Sequence, residues 1–261
     1  MRCGELINIL EKEIPLEAAE GWDNPGLQVG RRDAQVNRVY IALDATDEVI
    51  AHAVEWGADL LLTHHPLLIG AVKKINSDEF HGRKILEMAE RHLAHYAMHT
   101  NYDVCRMGRL CGERLHLLGC EVLEKTGEAE DGTPTGIGLV GYLPRTMTLA
   151  ECCEYVRGVF SLDHVKVFGD TQKKVYRAAI CPGSGKSLMH CALEKGVDVY
   201  ITGDLGHHDG MDALDQGLSL IDAGHYGMEH VFIPEMERYL QLHFPQLEVR
   251  TEPLREPFTV I

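Results

Sequence analysis

Two adjacent imidazoles, His64 and His65, end the apolar run Ala58-Asp59-Leu60-Leu61-Leu62-Thr63, and Pro66 follows at once. Consecutive residues of a strand point to opposite faces, so the pair can serve one site only where the strand stops and the backbone turns. Pro66 marks that stop and biases His65 toward extended geometry. Histidine is the commonest side-chain metal ligand, and loops at the carboxyl edge of an α/β sheet are where ligands bind. The pair therefore reads as a metal site, although taken alone it also fits a capped strand end.

Further donors come from two places. Asp103 closes the polar segment His99-Thr100-Asn101-Tyr102-Asp103 behind a short strand, and so emerges at the same sheet edge. His225 and Glu229 are spaced i,i+4, which puts both on one face if a helix starts there. Singly, Asp103 fits an ordinary turn residue and His225/Glu229 a solvated helical pair. Together His64, His65, Asp103, His225 and Glu229 offer nitrogen and oxygen donors without a thiolate. Five donors exceed what one open catalytic zinc needs and suit two ions roughly 3.5–4 Å apart. Such a set accommodates Zn, Mn, Fe, Co or Ni and argues against a site made for Mg or Ca. His99 and His208, the latter in Gly203-Asp204-Leu205-Gly206-His207-His208-Asp209, are the candidates for proton transfer or for holding a ligand. A hydrogen-bonded core histidine is the plainer reading of both.

Cys181-Pro182-Gly183-Ser184-Gly185-Lys186-Ser187 resembles a P-loop, but the signature requires glycine where Ile180 stands. A tight strand-to-helix turn is expected there, with phosphate binding through backbone N–H groups as the alternative.

The elements that must position these groups alternate. Residues 5–13 carry a helical apolar stripe halted by Pro15, and residues 21–30 are punctuated like a structured loop that packs Trp22, Leu27 and Val29. A strand over 38–44, a helix over 47–56 and a strand over 58–63 form a β-α-β unit. A helix over 83–92, a short strand over 95–99 and a helix over 108–118 follow, and residues 125–138 form a linker or hairpin. The second half repeats the first at an offset of 139. Glu55-Trp56-Gly57-Ala58-Asp59-Leu60-Leu61-Leu62-Thr63 aligns with Glu194-Lys195-Gly196-Val197-Asp198-Val199-Tyr200-Ile201-Thr202, and Arg38-Val39-Tyr40-Ile41 with Arg177-Ala178-Ala179-Ile180. The expected fold is α/β, built as two similar lobes over about 1–125 and 126–261.

The bulk properties exclude other classes. A net charge of −15 without a Lys/Arg cluster repels a phosphate backbone, so nucleic acid is not the expected partner. No apolar run spans a membrane, and a charged amino terminus implies a cytoplasmic protein. Eight cysteines without a CxxC pair read as free, buried thiols.

Five segments in order, Trp22-Asp23-Asn24-Pro25-Gly26-Leu27-Gln28-Val29-Gly30, Thr63-His64-His65-Pro66-Leu67, His99-Thr100-Asn101-Tyr102-Asp103, Gly183-Ser184-Gly185 and Gly224-His225-Tyr226-Gly227-Met228-Glu229, resemble the Nif-three-like proteins, also called GTP cyclohydrolase 1 type 2 homologues. The resemblance runs from about residue 5 to about residue 250. It implies a cytoplasmic α/β protein with a di-metal centre between two similar lobes, assembled as a toroidal homohexamer. Carried over, the ligands fall on His64, His65, Asp103, His225 and Glu229, with Glu229 bridging. The whole chain, 1–261, reads as a single unit of this family without the inserted middle domain of longer relatives. The implied activity is hydrolysis of a nucleotide-like small molecule, with GTP as the named candidate and a metal-generated hydroxide attacking C8 of guanine. A metal-dependent phosphatase or nuclease and a non-catalytic metal-binding or interaction scaffold are the alternatives.

Overall fold

The computed structural model describes residues 1–129 and 131–260. The chain forms two compact units, Met1–Tyr102 with Phe232–Arg255, and Asp103–Val231 with the tail from Glu256. The units part at Tyr102/Asp103 and the chain re-enters the first at Phe232, whereas the sequence reading put one division near 125/126. The Gly- and Thr-rich segment that suggested that division is the tip of a long antiparallel hairpin, Leu118–Glu128 with Pro134–Thr148, inside the second unit.

In the first unit a five-stranded sheet runs in the order Gly26–Val29, Ala94–Ala97, Leu60–Thr63, Arg38–Ala42, Glu248–Thr251. The last four strands are parallel and Gly26–Val29 is the antiparallel edge. Leu60–Thr63 is buried throughout, as a continuous apolar run between two layers of helices requires. The connecting helix Asp47–Trp56 has the predicted bounds: Thr46 Oγ1 accepts from the Val49 N–H at 3.1 Å, and Gly57 closes it at φ +76. The first helix spans Cys3–Glu13, and the helix before the third parallel strand spans Phe80–Glu90. The segment 21–30, read as a loop, contains the edge strand Gly26–Val29, and Trp22 is exposed rather than packed inside.

The second unit holds a six-stranded mixed sheet, ordered Leu118–Glu128, Pro134–Thr148, Lys174–Ile180, Val199–Thr202, Ser219–Asp222, Lys166–Phe168. Lys174–Ile180, Val199–Thr202 and Ser219–Asp222 are parallel. Helix Leu149–Phe160 starts from a capping box between Thr148 and Glu151. The predicted helix over 108–118 is shorter, Gly108–Arg114, because Asp103–Met107 winds ahead of it as a π-helical turn and the hairpin begins at Leu118.

One backbone arrangement occurs in both units. Asp59 Oδ2 accepts from the N–H groups of Asn37 and Arg38 at 2.7 and 3.0 Å, and Asp198 Oδ2 accepts from those of Tyr176 and Arg177 at 2.8 and 2.9 Å. The pairs Val39↔Leu60 and Ala178↔Val199 share the same register, each residue displaced by 139 (178 − 39 and 199 − 60). Among the described residues no helix is long and apolar enough to cross a membrane.

Candidate metal centre

In the first unit three neighbouring parallel strands release their loops at one sheet edge, and these loops carry Asp44, then His64 and His65, then His99. His64 is fully buried, and its Nδ1 lies 2.7 Å from the Met98 carbonyl. A carbonyl only accepts, so Nδ1 carries the proton and Nε2 is the acceptor nitrogen that a metal would take. His65 Nδ1 meets Asp44 Oδ1 at 2.7 Å with the same consequence. The Thr63 hydroxyl donates to the His65 carbonyl at 2.7 Å, so it must accept from Nε2–H of His95, also at 2.7 Å. His95 is fully buried, and burial, followed by the charge of Lys84, pushes its pKa down to about 3. A neutral core histidine thus steadies the backbone at His64 and His65.

His99 stands beside that pair, its ring centroid 5.4 Å from His64 and 5.5 Å from His65. Its Nδ1 is 2.7 Å from Asp23 Oδ1, while Asp23 Oδ2 accepts from the Thr100 N–H at 3.0 Å and hydroxyl at 2.5 Å. Burial opposes ionisation of Asp23, but the hydrogen bonds from His99 and Thr100 outweigh it and hold the pKa down to about 2.

In the second unit the predicted helical spacing is realised in the short helix His225–Glu229. His225 Nδ1 meets Asp204 Oδ2 at 2.7 Å, and Nε2 lies 2.9 Å from Oε2 of the buried Glu229. That separation is close to what adjacent ligands subtend on one ion with bonds of roughly 2.0–2.2 Å. Gly183, at φ +71, leaves the clearance: a Cβ there would fall 2.1 Å from Glu229 Oε1. The Gly185 N–H is engaged by Thr202 Oγ1 at 2.9 Å and Gly183 takes a left-handed backbone, as the expected tight turn requires. Asp103 opens the π-helical turn. Burial, and then the charge of Asp103, pushes the Cys181 thiol up to about 12, and burial raises Cys111 with Glu229 and Asp103 adding to it. Both thiols stay protonated, which fits a donor set of nitrogen and oxygen. His208 lies exposed at the start of helix His207–Asp215 against the His207 ring, and among the described residues no hydrogen bond orients it.

A family model for Duf34/NIF3 (NGG1p interacting factor 3) matches residues 1–256. The chain belongs to the Duf34/NIF3 family. A protein of Clostridium acetobutylicum named "GTP cyclohydrolase 1 type 2 homolog" is 34% identical over 254 residues, 96% of this chain and 94% of the relative. A Streptococcus pneumoniae protein of the same name is 35% identical over 92% of this chain and 90% of its own length. The crystal structure of a Bacillus cereus protein related to NIF3 has a TM-score of 0.90 at 24% identity, covering 100% of this chain and 99% of that one, a likeness of fold. Reduced HcgD from Methanocaldococcus jannaschii has a TM-score of 0.80 at 28% identity, over 96% of this chain and 97% of that one.

In this Duf34/NIF3 protein three carboxylates escaped the sequence reading: Asp23, Asp44 and Asp204. Each holds the Nδ1–H of a histidine 76, 21 and 21 residues away in the chain. Only Asp23 carried a signal, as part of the Trp22–Gly30 segment. The cysteines are free, as expected, but Cys120 is exposed and Cys105 and Cys191 are partly so; they lie on a hairpin edge, a π-helical turn and a short helix rather than in the core.

Proposed function

We propose that His64 and His65 of the first unit and Asp103, His225 and Glu229 of the second together hold two divalent cations, and that the protein hydrolyses a nucleotide-like small molecule, with GTP as the leading substrate. The observation that carries the reading is the common orientation of the three ligand imidazoles: each gives its Nδ1–H to an oxygen, which turns Nε2 to the metal side. The relatives' name, GTP cyclohydrolase 1 type 2 homolog, supports the choice of GTP. Zn, Mn, Fe, Co or Ni bound there would supply a water of lowered pKa and a Lewis acid for developing charge. The duplicated hydrogen bonds of Asp59 and Asp198 support a chain built from two related lobes. A ring-shaped homohexamer belongs to the same proposal, and light scattering tests it.

His99 is the proton carrier in this reading. The ionised Asp23 takes its Nδ1–H, which leaves Nε2 as a base and stabilises the imidazolium once a proton has been accepted. Its ring lies against those of His64 and His65.

The test is incubation of full-length protein, loaded with each metal in turn, with GTP. Release of C8 as formate is the expected outcome, with His99→Ala lowering kcat while metal content holds. Phosphate release instead would make the protein a phosphatase. Unchanged GTP and unchanged nucleotide and phosphoester panels, with metal bound, would leave a binding scaffold.

A further inference from the structure

A second cluster of ligating side chains lies elsewhere in the second unit. Glu124 belongs to the edge strand Leu118–Glu128, and His190 and Cys191 belong to the helix Met189–Glu194 packed beside it. Their donor atoms all lie within 4.8 Å of one another. His190 Nδ1 lies 2.8 Å from the carbonyl of Ser187, one turn earlier. That carbonyl can only accept, so the proton sits on Nδ1, and the Nε2 lone pair faces Cys191 Sγ at 3.3 Å. The imidazole is oriented as a metal-bound histidine is, by a backbone acceptor behind it. The ring is exposed, Glu124 and Cys191 are half-buried, and an ion can reach them from solvent.

We propose that Glu124, His190 Nε2 and Cys191 Sγ form a second, separate cation site, selective for a borderline-soft ion of the zinc class. The three ligands differ in kind from the five nitrogen and oxygen donors of the candidate centre. One thiolate, one imidazole and one carboxylate suit Zn²⁺ or Co²⁺ and are a poor match for Mg²⁺ or Ca²⁺. Three protein ligands leave a fourth tetrahedral position for water. On binding, Cys191 gives up its thiol proton to solvent and forms the metal–sulfur bond, so one proton is released per ion. Without metal, burial and the neighbouring charges of Glu124 and Glu194 push the Cys191 thiol up. The ion would clip the helix to the edge strand, beside the existing ion pair of Lys195 with Glu121 at 2.9 Å.

The full-length protein carrying His64→Ala, which disables the other centre, is titrated with Co²⁺ and, separately, Zn²⁺. A sulfur-to-cobalt charge-transfer band in the near ultraviolet is expected, since only this site contains a thiolate ligand. Cys191→Ser should abolish the band and remove one equivalent of bound Zn²⁺. Glu124→Gln should weaken Zn²⁺ by about tenfold or more. Zn²⁺ should also slow alkylation of Cys191, followed by peptide mapping, by about tenfold or more, because a metal-bound thiolate is not free to react. Absence of the band from folded protein, its survival in Cys191→Ser, unchanged affinity in Glu124→Gln, or alkylation indifferent to Zn²⁺ would each overturn the proposal. None of these readouts depends on turnover, so the hydrolase reading can fail while this one stands.

Discussion

His65 and His225 are built to one plan on two different frames. Each gives Nδ1–H to an aspartate 21 residues earlier, on the loop after the neighbouring parallel strand: His65 to Asp44, His225 to Asp204. The strands themselves repeat at 139, but these two pairs are separated by 160 (204 − 44 and 225 − 65). The histidine–aspartate pair of the second unit therefore sits one strand further along the 139-residue offset. Asp44 follows Arg38–Ala42, whereas Asp204 follows Val199–Thr202, the counterpart of Leu60–Thr63. What recurs is the use of adjacent loops at a carboxyl edge, and which strands supply them is free to shift. The surroundings differ as well. In the first unit His65 adjoins His64, which is 0% exposed, whereas the side chain of His225 is 35% exposed on a helix of 5 residues.

His64→Ala against His225→Ala probes that asymmetry most strongly. Both should reduce bound metal, but only His64→Ala removes the donor to a buried carbonyl and leaves a cavity. It should cost about 3 kcal/mol in urea denaturation, against about 1 kcal/mol or less for His225→Ala. Equal losses would end the idea of a rigid and a lax half. Gly183→Ala should destabilise by about 2–3 kcal/mol, combining a left-handed backbone with a Cβ driven into Glu229, and should lower metal content. His95 supplies a pH test confined to the buried half. Its folded pKa lies near 3 and the unfolded value near 6.5, so between these the unfolded chain takes up a proton that the folded chain refuses. Its contribution is complete above about pH 6.5 and declines as pH falls, by about 2 kcal/mol from about pH 7 to about pH 5. His95→Gln should flatten that slope in denaturation curves taken across the range. Smallest is the pair Asp44→Asn and Asp204→Asn, each expected to weaken metal by about tenfold in equilibrium dialysis. A change in one with none in the other would show that the shared plan is not shared function.

The sequence announces the groups whose cause is local. Leu60–Thr63 reads as buried because a strand covered on both faces must be apolar throughout, and Pro66 marks its end. Helix Asp47–Trp56 is legible from Thr46 and Gly57, since caps act within one turn. The i,i+4 spacing of His225 and Glu229 is likewise a local signal. Asp44 and Asp204 are silent, and Asp23 is marked only by its segment, because each meets its histidine only after the chain has gone through at least one further element. Gly26–Val29 is disguised by Pro25, Gly26 and Gly30, yet an edge strand pairs along one side only and tolerates such neighbours. The division at Tyr102 and the return at Phe232 leave no compositional trace, because a chain crossing between compact units needs no linker chemistry.

That return has a consequence for synthesis. Strand Glu248–Thr251 completes the sheet begun at Arg38–Ala42, pairing Glu248 with Arg38 across 210 residues of chain (248 − 38). The ring of Phe232, 5.4 Å from His64, arrives on the same returning segment. On the ribosome the first unit is thus the first to emerge, yet it waits for Phe232–Arg255, and the long middle segment of the second unit, Asp103–Val231, is made before that piece arrives. A nascent chain halted before residue 232 would carry both His64 and His65 but lack Phe232 and the strand Glu248–Thr251, so the sheet beside them is completed only when nearly the whole protein has been made.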